Sequence, residues 1–419
     1  MIASKKSPFL LLLILGCLFF IFGFVTWLNG TLIPYLRIAC ELNNFQSLLV
    51  AFAFYISYFF TAIPSSWLLK HTGLKKGMMI GLLVMAAGAI LFIPAALSRT
   101  YYLFLGGLFI IGTGLSILQT ASNPYITIVG PLESAARRIS IMGICNKVAG
   151  VLAPIILGAV VLSDADTLTE TIKTLDDAAR TMALNELARR VVLPYSIMSV
   201  VLVLLSLFVR FSSLPEIGLQ EEVELTHEPD KSSVWSYPNL VLGVLALFLY
   251  VGAEVIAGDT IGTFGHSQGI PLSEAKNFTS LTLSAMVIGY ILGILLIPKY
   301  LNQEKALFYS SLTGIVLSLA AVSASGYTAV FCIASLGLSN ALVWPAIWPL
   351  AIKGLGRHTN TGSALLIMAI AGGALLPLFY GKLSDVESIG NHKAYLILIP
   401  CYLFILFYAW RGNKIAKWS

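Results

Sequence analysis

Three charged side chains stand inside apolar segments that are long enough to cross a bilayer: Lys147, Glu254 and Asp259. A charge at the centre of a membrane costs at least ~3 kcal/mol, so it survives only beside a wet cavity or a partner of opposite charge. Lys147 and Glu254 lie near the middle of their segments, and Asp259 lies closer to one end. These residues therefore predict an ion or substrate pathway; the alternative is that Lys147 and Glu254 form a structural ion pair.

Amide and indole side chains accompany these charges at similar depth. Amides donate hydrogen bonds to hydroxyls and accept them, and the face of an indole stacks on the C–H face of a pyranose. The pattern predicts a wall that binds a neutral, hydroxyl-rich ligand, formed by Asn29, Gln119, Asn123, Asn146, Asn340 and Trp344.

Several of these residues also have a simpler interpretation. Asn123 precedes Pro124, and its amide could satisfy backbone groups that the proline leaves free. Asn340 could form an interhelical hydrogen bond, and Trp344 could be a packing residue. Trp27 could be an interfacial aromatic residue, and Asp259 could lie in water at the outer end of its segment.

The composition excludes several classes of protein. The 419 residues are 58% apolar and only 11% charged, with a mean hydropathy of +0.87, whereas a soluble domain carries about 25% charged residues. A soluble enzyme or a nucleic-acid-binding protein is therefore excluded. The five cysteines fit no metal site, and the sequence has no phosphate-binding glycine loop and no catalytic triad. We expect no enzyme activity, no metal and no cofactor.

Twelve segments meet the length of roughly 20 apolar residues that a membrane-spanning helix needs. A polar stretch with a helical charge pattern, 163–190, joins segments 5 and 6. An acidic stretch with two prolines, 212–236, joins segments 6 and 7 as a solvated hinge. The predicted segments are 9–36, 44–69, 77–97, 101–130, 137–162, 191–211, 238–261, 277–297, 305–324, 327–353, 358–383 and 392–411.

The distribution of positive charge predicts the orientation. With the N-terminus inside, most of the 26 lysines and arginines fall in cytoplasmic loops, and few fall in outer loops once the long 163–190 loop is discounted. Both termini are therefore predicted to be cytoplasmic, and the net charge of +6 needs no acidic partner.

An internal repeat is predicted by a shift of about 225 residues, which places segment 1 on segment 7. The shift maps Asn29 onto Glu254 and Gln119 onto Trp344. The predicted fold is an all-α integral membrane protein with twelve transmembrane helices in two pseudo-symmetric six-helix halves, 1–211 and 237–419, joined by the linker 212–236. Such proteins bind substrate near the midplane, between the halves, and alternate access by rocking.

The chain resembles the major facilitator superfamily, and within it the fucose–galactose–glucose:proton symporter family, along nearly its whole length. Among the matching motifs are Phe19-Phe20, Leu28-Asn29, Leu32-Ile33-Pro34, Asn44-Phe45-Gln46, Ala53-Phe54-Tyr55, Asn123-Pro124-Tyr125, Gly130-Pro131, Tyr250-Val251-Gly252-Ala253, Ile352-Lys353-Gly354-Leu355-Gly356 and Gly372-Gly373. Glu254 and the Trp344–Pro349 run are more similar to the glucose/galactose branch, whose bacterial members sit in the inner membrane and include some described as sodium-linked.

Two departures from the family pattern concern its proton chemistry. The fucose permeases have an acid after the segment 1 Asn, where this chain has Gly30, and a second acid in segment 4, where it has Gln119. The sugar-binding Asn of segment 5 is retained as Asn146. Because both usual acids are absent, we expect Glu254 to be the coupling residue, with Asp259 as the alternative and Lys147 as a charge partner.

The resemblance implies a monomeric secondary transporter that imports glucose or galactose together with H⁺ or Na⁺. Its partners are then a small sugar and the lipid bilayer, with no nucleic acid. Fucose and N-acetylglucosamine are alternative substrates, and an uncoupled sugar facilitator is the alternative mechanism. A membrane-bound sugar sensor belongs to a different class, and it would usually carry an added signalling domain.

Overall fold

The computed structural model describes residues 8–128, 135–212, 214, 233–297, 300–415 and 418. Within these ranges all regular secondary structure is helical, and twelve helices or helix pairs are long and apolar enough to cross a membrane. The predicted all-α membrane fold with twelve spans is thereby confirmed, and the chain is a multi-pass membrane protein.

Among the described residues, nine α-helices precede residue 212 and contribute the first six spans, referred to below as the N-terminal set. They are α1 (Pro8–Trp27), α2 (Asn29–Ala39), α3 (Asn44–Thr72), α4 (Leu74–Ser98), α5 (Tyr101–Ile128), α6 (Ala135–Val161), α7 (Ala165–Thr174), α8 (Asp177–Arg189) and α9 (Val192–Phe211). The first span is the pair α1–α2, and the sixth runs through α8 and α9.

Eleven α-helices follow residue 233 in the described part of the chain and contribute the last six spans, the C-terminal set. They are α10 (Pro238–Asp259), α11 (Ile261–Ser267), α12 (Leu272–Ala275), α13 (Phe278–Leu296), α14 (Gln303–Ser323), α15 (Gly326–Ala341), α16 (Val343–Ile352), α17 (Thr359–Met368), α18 (Gly372–Ser384), α19 (Gly390–Ala394) and α20 (Leu398–Trp410). The fourth and tenth spans begin at Tyr101 and Gly326, at the predicted spacing of about 225 residues.

The predicted linker 163–190 is itself largely helical. Asp164 forms an ion pair with Arg190, and this hydrogen-bonded guanidinium lowers the pKa of the Asp164 carboxyl. The Tyr35 hydroxyl donates to the carbonyls of Leu187 and Ala188, at 3.0 and 2.9 Å. The stretch is therefore attached to the bundle, and the sixth span begins earlier in the chain than predicted. Most of 212–236 lies outside the described residues.

Three spans are interrupted beside candidate site residues. The first breaks at Leu28, between Trp27 and Asn29; the seventh breaks at Thr260, directly after Asp259; the tenth breaks at Leu342, shortly before Trp344. Leu28 and Thr260 are buried in protein, which is where interrupted backbone is tolerated at membrane depth. In the seventh span the break lies two residues after Gly258.

The two sets pack against each other mainly through α3 with α18 and α6 with α13. At the end of the bundle where α2 stops and α3 starts, the Asp385 carboxylate accepts a hydrogen bond from the Phe45 amide at 2.9 Å. Nearby, Lys276 donates to the Leu162 carbonyl at 2.8 Å. Both bonds join the N-terminal to the C-terminal set, so the bundle is closed at this end.

Candidate functional site

An ion pair joins the two sets in the middle of the bundle. Lys147 of α6 donates to Glu254 of α10, with 2.8 Å between Nζ and Oε1. The two side chains are only 10% and 11% exposed. The Lys147 ammonium also lies 4.5 Å from the centre of the Trp27 ring, a distance typical of a cation–π contact.

Two glycines create the slot that holds Trp27 in this position. A Cβ at Gly150 would lie 2.5 Å from Trp27 Cδ1, and one at Gly258 would lie 2.4 Å from Trp27 Cζ3. The indole therefore fits between α6 and α10 only because neither helix has a side chain there. Trp27 is 2% exposed, so its interpretation as an interfacial aromatic residue is wrong.

Asp259 is fully buried, and neither of its carboxyl oxygens has a hydrogen-bond partner among the described residues. It lies close enough to Glu254 and Lys147 to interact with both electrostatically. The interpretation of Asp259 as an outer-end residue in water is therefore wrong. The backbone beside it is held by C-terminal-set hydroxyls, since Thr279 donates to the Gly258 carbonyl at 2.7 Å.

Four tyrosines for which the sequence predicted no role in the site lie within electrostatic range of the Glu254 carboxylate. Each comes from a different span: Tyr55, Tyr250, Tyr290 and Tyr402. One signal was available, because Tyr250 precedes Glu254 by four residues and lies on the same face of α10. The other three are brought in by packing between helices.

Two of the predicted amides bond to tyrosines in this region. Gln119 donates to the Tyr58 hydroxyl at 3.1 Å, and Tyr58 lies one turn after Tyr55 on α3. Asn340 accepts from the Tyr402 hydroxyl at 2.8 Å, while its own amide nitrogen is buried without a partner among the described residues. Gln119 and Asn340 are thus connected to the Glu254 environment from opposite sets.

The remaining predicted residues differ in how they are placed. Asn29 is 1% exposed, and neither amide atom has a hydrogen-bond partner in the described part of the chain. Asn146 donates to the Phe19 carbonyl at 3.4 Å. Trp344 stacks on Trp348, with ring centres 5.6 Å apart, and its described contacts do not include the ion pair. The side chain of Asn123 lies outside the described part of the structure.

The structure gives a physical reason why this chain has Gly30 where the fucose permeases have an acid. A Cβ at Gly30 would lie 2.3 Å from Thr279 Oγ1 and 2.8 Å from its Cγ2. An aspartate in this conformation would overlap α13. At the second position, Gln119 is accommodated by its bond to Tyr58.

The charges are enclosed by protein in this conformation, since Lys147, Glu254 and Asp259 are at most 9% exposed. A 570 Å³ open groove lies elsewhere, lined by apolar residues of α3, α5 and α18, including Phe52 and Leu375. Among the described residues, no three His, Cys, Asp or Glu side chains are grouped so that they could hold a metal ion. The arrangement suits proton exchange and hydroxyl recognition.

Twelve spans with charges buried between two sets of six define the class of secondary membrane transporters. The sequence profile of the Major Facilitator Superfamily matches residues 15–377, and the chain belongs to that family. It is a transporter and not an enzyme.

Comparison with known proteins gives relatives and solved structures of similar length. The chain is 36% identical to the glucose/galactose transporter of Brucella abortus biovar 1 (strain 9-941), over 98% of this chain and 96% of that protein. It is 30% identical to the L-fucose-proton symporter of Escherichia coli (strain K12), over 97% and 94%. A crystal structure of the transporter FucP in the outward conformation superposes with a TM-score of 0.74 at 29% identity, covering 96% of this chain and 99% of FucP.

Proposed function

We propose that the protein is a proton-coupled hexose symporter, with glucose and galactose as the leading substrates. The geometric observation that carries this proposal is the buried Lys147–Glu254 pair, which joins the two sets beside hydrogen-bonding amides. The printed names of the relatives support a sugar as substrate. The name of the L-fucose-proton symporter supports the proton as coupling ion, and it makes fucose the second candidate.

In this proposal residues 1–211 and 237–419 are two rocking halves joined by the linker 212–236. Sugar hydroxyls bind the amides of Asn29, Gln119, Asn123, Asn146 and Asn340, and Trp344 stacks on the sugar ring. Lys147, Glu254 and Asp259 form the coupling group. The protein acts as a monomer in the bacterial inner membrane with both termini in the cytoplasm, so that the closed end of the bundle faces the periplasm.

Transport by the purified protein in liposomes tests this function. Labelled glucose, galactose, fucose and N-acetylglucosamine are supplied separately, under either an inward proton gradient or an inward sodium gradient. We expect glucose or galactose to accumulate above its external concentration under the proton gradient, and a protonophore to abolish the accumulation. Equilibration without accumulation would indicate a facilitator, and accumulation under the sodium gradient alone would contradict proton coupling.

Replacing Gln119 with leucine tests the sugar-binding wall. Loss of one hydrogen bond to the substrate costs about 1.5 kcal/mol, so we expect KM for the transported sugar to rise roughly tenfold. Thr113→Val is the matched control on α5, because the Thr113 hydroxyl bonds to the Phe109 carbonyl of its own helix. An unchanged KM in Gln119→Leu, or an equal rise in both variants, would remove Gln119 from the site.

A further inference from the structure

We infer that Asp259 is the group that carries the transported proton, while the Lys147–Glu254 pair stays charged and holds the two sets together. The inference rests on the proposed function and assigns different roles to the two buried carboxyl groups. It departs from our expectation from the sequence, in which Glu254 was the coupling residue. The observation behind it is that Glu254 has a charged partner at 2.8 Å, whereas Asp259 has no partner among the described residues.

The charge balance of the site favours this division. Lys147 and Glu254 together are neutral, and the lysine is further stabilised by the face of Trp27. Protonating Glu254 would leave the Lys147 ammonium buried without its partner, which protein interiors tolerate poorly. An ionised Asp259 would add a second negative charge to one lysine. The enclosed conformation therefore accommodates Asp259 best as the neutral acid.

The surroundings of Asp259 lead to the same assignment. The titratable groups within electrostatic range of Asp259 are Glu254 on its own helix, Lys147 on α6 and Tyr55 on α3. Lys147 is already bonded to Glu254. The carbonyls of Gly258 and Ala257, just before Asp259, are occupied by the hydroxyls of Thr279 and Thr282.

Proton release changes the net charge of the enclosed site. When the Asp259 O–H bond breaks and the proton leaves for water, α10 carries two carboxylates beside the single ammonium of Lys147. The second negative charge has no partner of its own, so the enclosed conformation becomes less favourable than one in which water reaches Asp259. Protonation of Asp259 removes this cost, so the state of one carboxyl group biases the equilibrium between conformations.

Infrared spectroscopy of the purified protein tests the assignment without depending on transport. A buried neutral carboxyl group gives its own C=O stretching band, which ionised carboxylates lack. We expect this band in the wild type near neutral pH and its loss in Asp259→Asn. Glu274→Gln is the control, since that carboxylate is exposed and accepts from Tyr327, and it should retain the band. Absence of the band in the wild type, or its survival in Asp259→Asn, would overturn the inference.

Transport assays add a second readout. Asparagine is a neutral isostere of the protonated acid, so Asp259→Asn should still exchange internal for external sugar but should no longer accumulate sugar under a proton gradient. Accumulation by this variant at the wild-type level would overturn the inference and leave the proposed function intact. A wild-type protein that accumulates none of the four sugars would contradict the proposed function, whereas the infrared result would still stand for Asp259.

Discussion

Replacing Lys147 with methionine should lower the free energy of unfolding by about 3–5 kcal/mol, because Glu254 is then left buried without its charged partner. Both side chains are nearly inaccessible to solvent, so water cannot compensate for the lost ion pair. Methionine has a similar length and keeps most of the packing around the Trp27 slot. Unfolding by sodium dodecyl sulfate in mixed micelles, followed by tryptophan fluorescence, measures the loss.

The double variant Lys147→Met, Glu254→Gln separates the charge effect from packing. It removes both charges, so its stability should return close to that of the wild type. A single variant as stable as the wild type would show that the pair contributes little. A double variant as unstable as the single one would assign the loss to packing.

Replacing Gly30 with alanine should destabilise the closed arrangement at the α2–α3 end of the bundle. All three atoms nearest to the added Cβ belong to Thr279, at 2.3–2.9 Å. Thr279 is β-branched and donates to the Gly258 carbonyl, so it cannot rotate away without losing that bond. A clash of this kind costs roughly 1–3 kcal/mol, which shifts the population by about 5- to 150-fold toward the open form.

Distances between spin labels at the exposed positions Glu41 and Val386 report this shift, in a background without the five native cysteines. We expect a longer distance to become dominant in Gly30→Ala. Gly158→Ala is the matched control, since its Cβ would make only ordinary contacts with Lys276 and Thr31, at 3.6 Å or more. Adding Thr279→Gly should restore the short distance. An unchanged distance distribution in Gly30→Ala would show that this contact does not control closure.

The sequence alone determined the number of spans and nearly all of their positions. Segment 305–324 was predicted where the structure has Gln303–Ser323, and 327–353 where it has Gly326–Ile352. The reason is that bilayer thickness sets a minimum length for an apolar helix, so hydropathy along the chain is sufficient. The high cost of burying a charge likewise singled out Lys147, Glu254 and Asp259 before any contact was known.

The internal repeat aligned Asn29 with Glu254. This alignment shows which positions of the two sets correspond, but it does not show which residues are in contact. The residue that pairs with Glu254 is Lys147, 107 positions away in the chain. The faces through which two helices pack depend on the size of the side chains between them. Here Gly150 and Gly258 have no side chain, and they therefore leave room for Trp27. The cost of burying a charge made Lys147 a candidate partner of Glu254 in the sequence, but the position of Trp27 between the two glycines could not be predicted from the sequence.

The surroundings of the two acids in α10 are also visible only in the tertiary structure. Glu254 and Asp259 are five residues apart, about 140° around an ideal helix, so they face different neighbours. One meets a lysine from the other set of spans, and the other is enclosed beside a break in its helix without a hydrogen-bond partner among the described residues. The hydropathy of the sequence indicates that burying each acid is costly. The partner of each acid and its protonation state depend on the side chains that distant helices place around that acid.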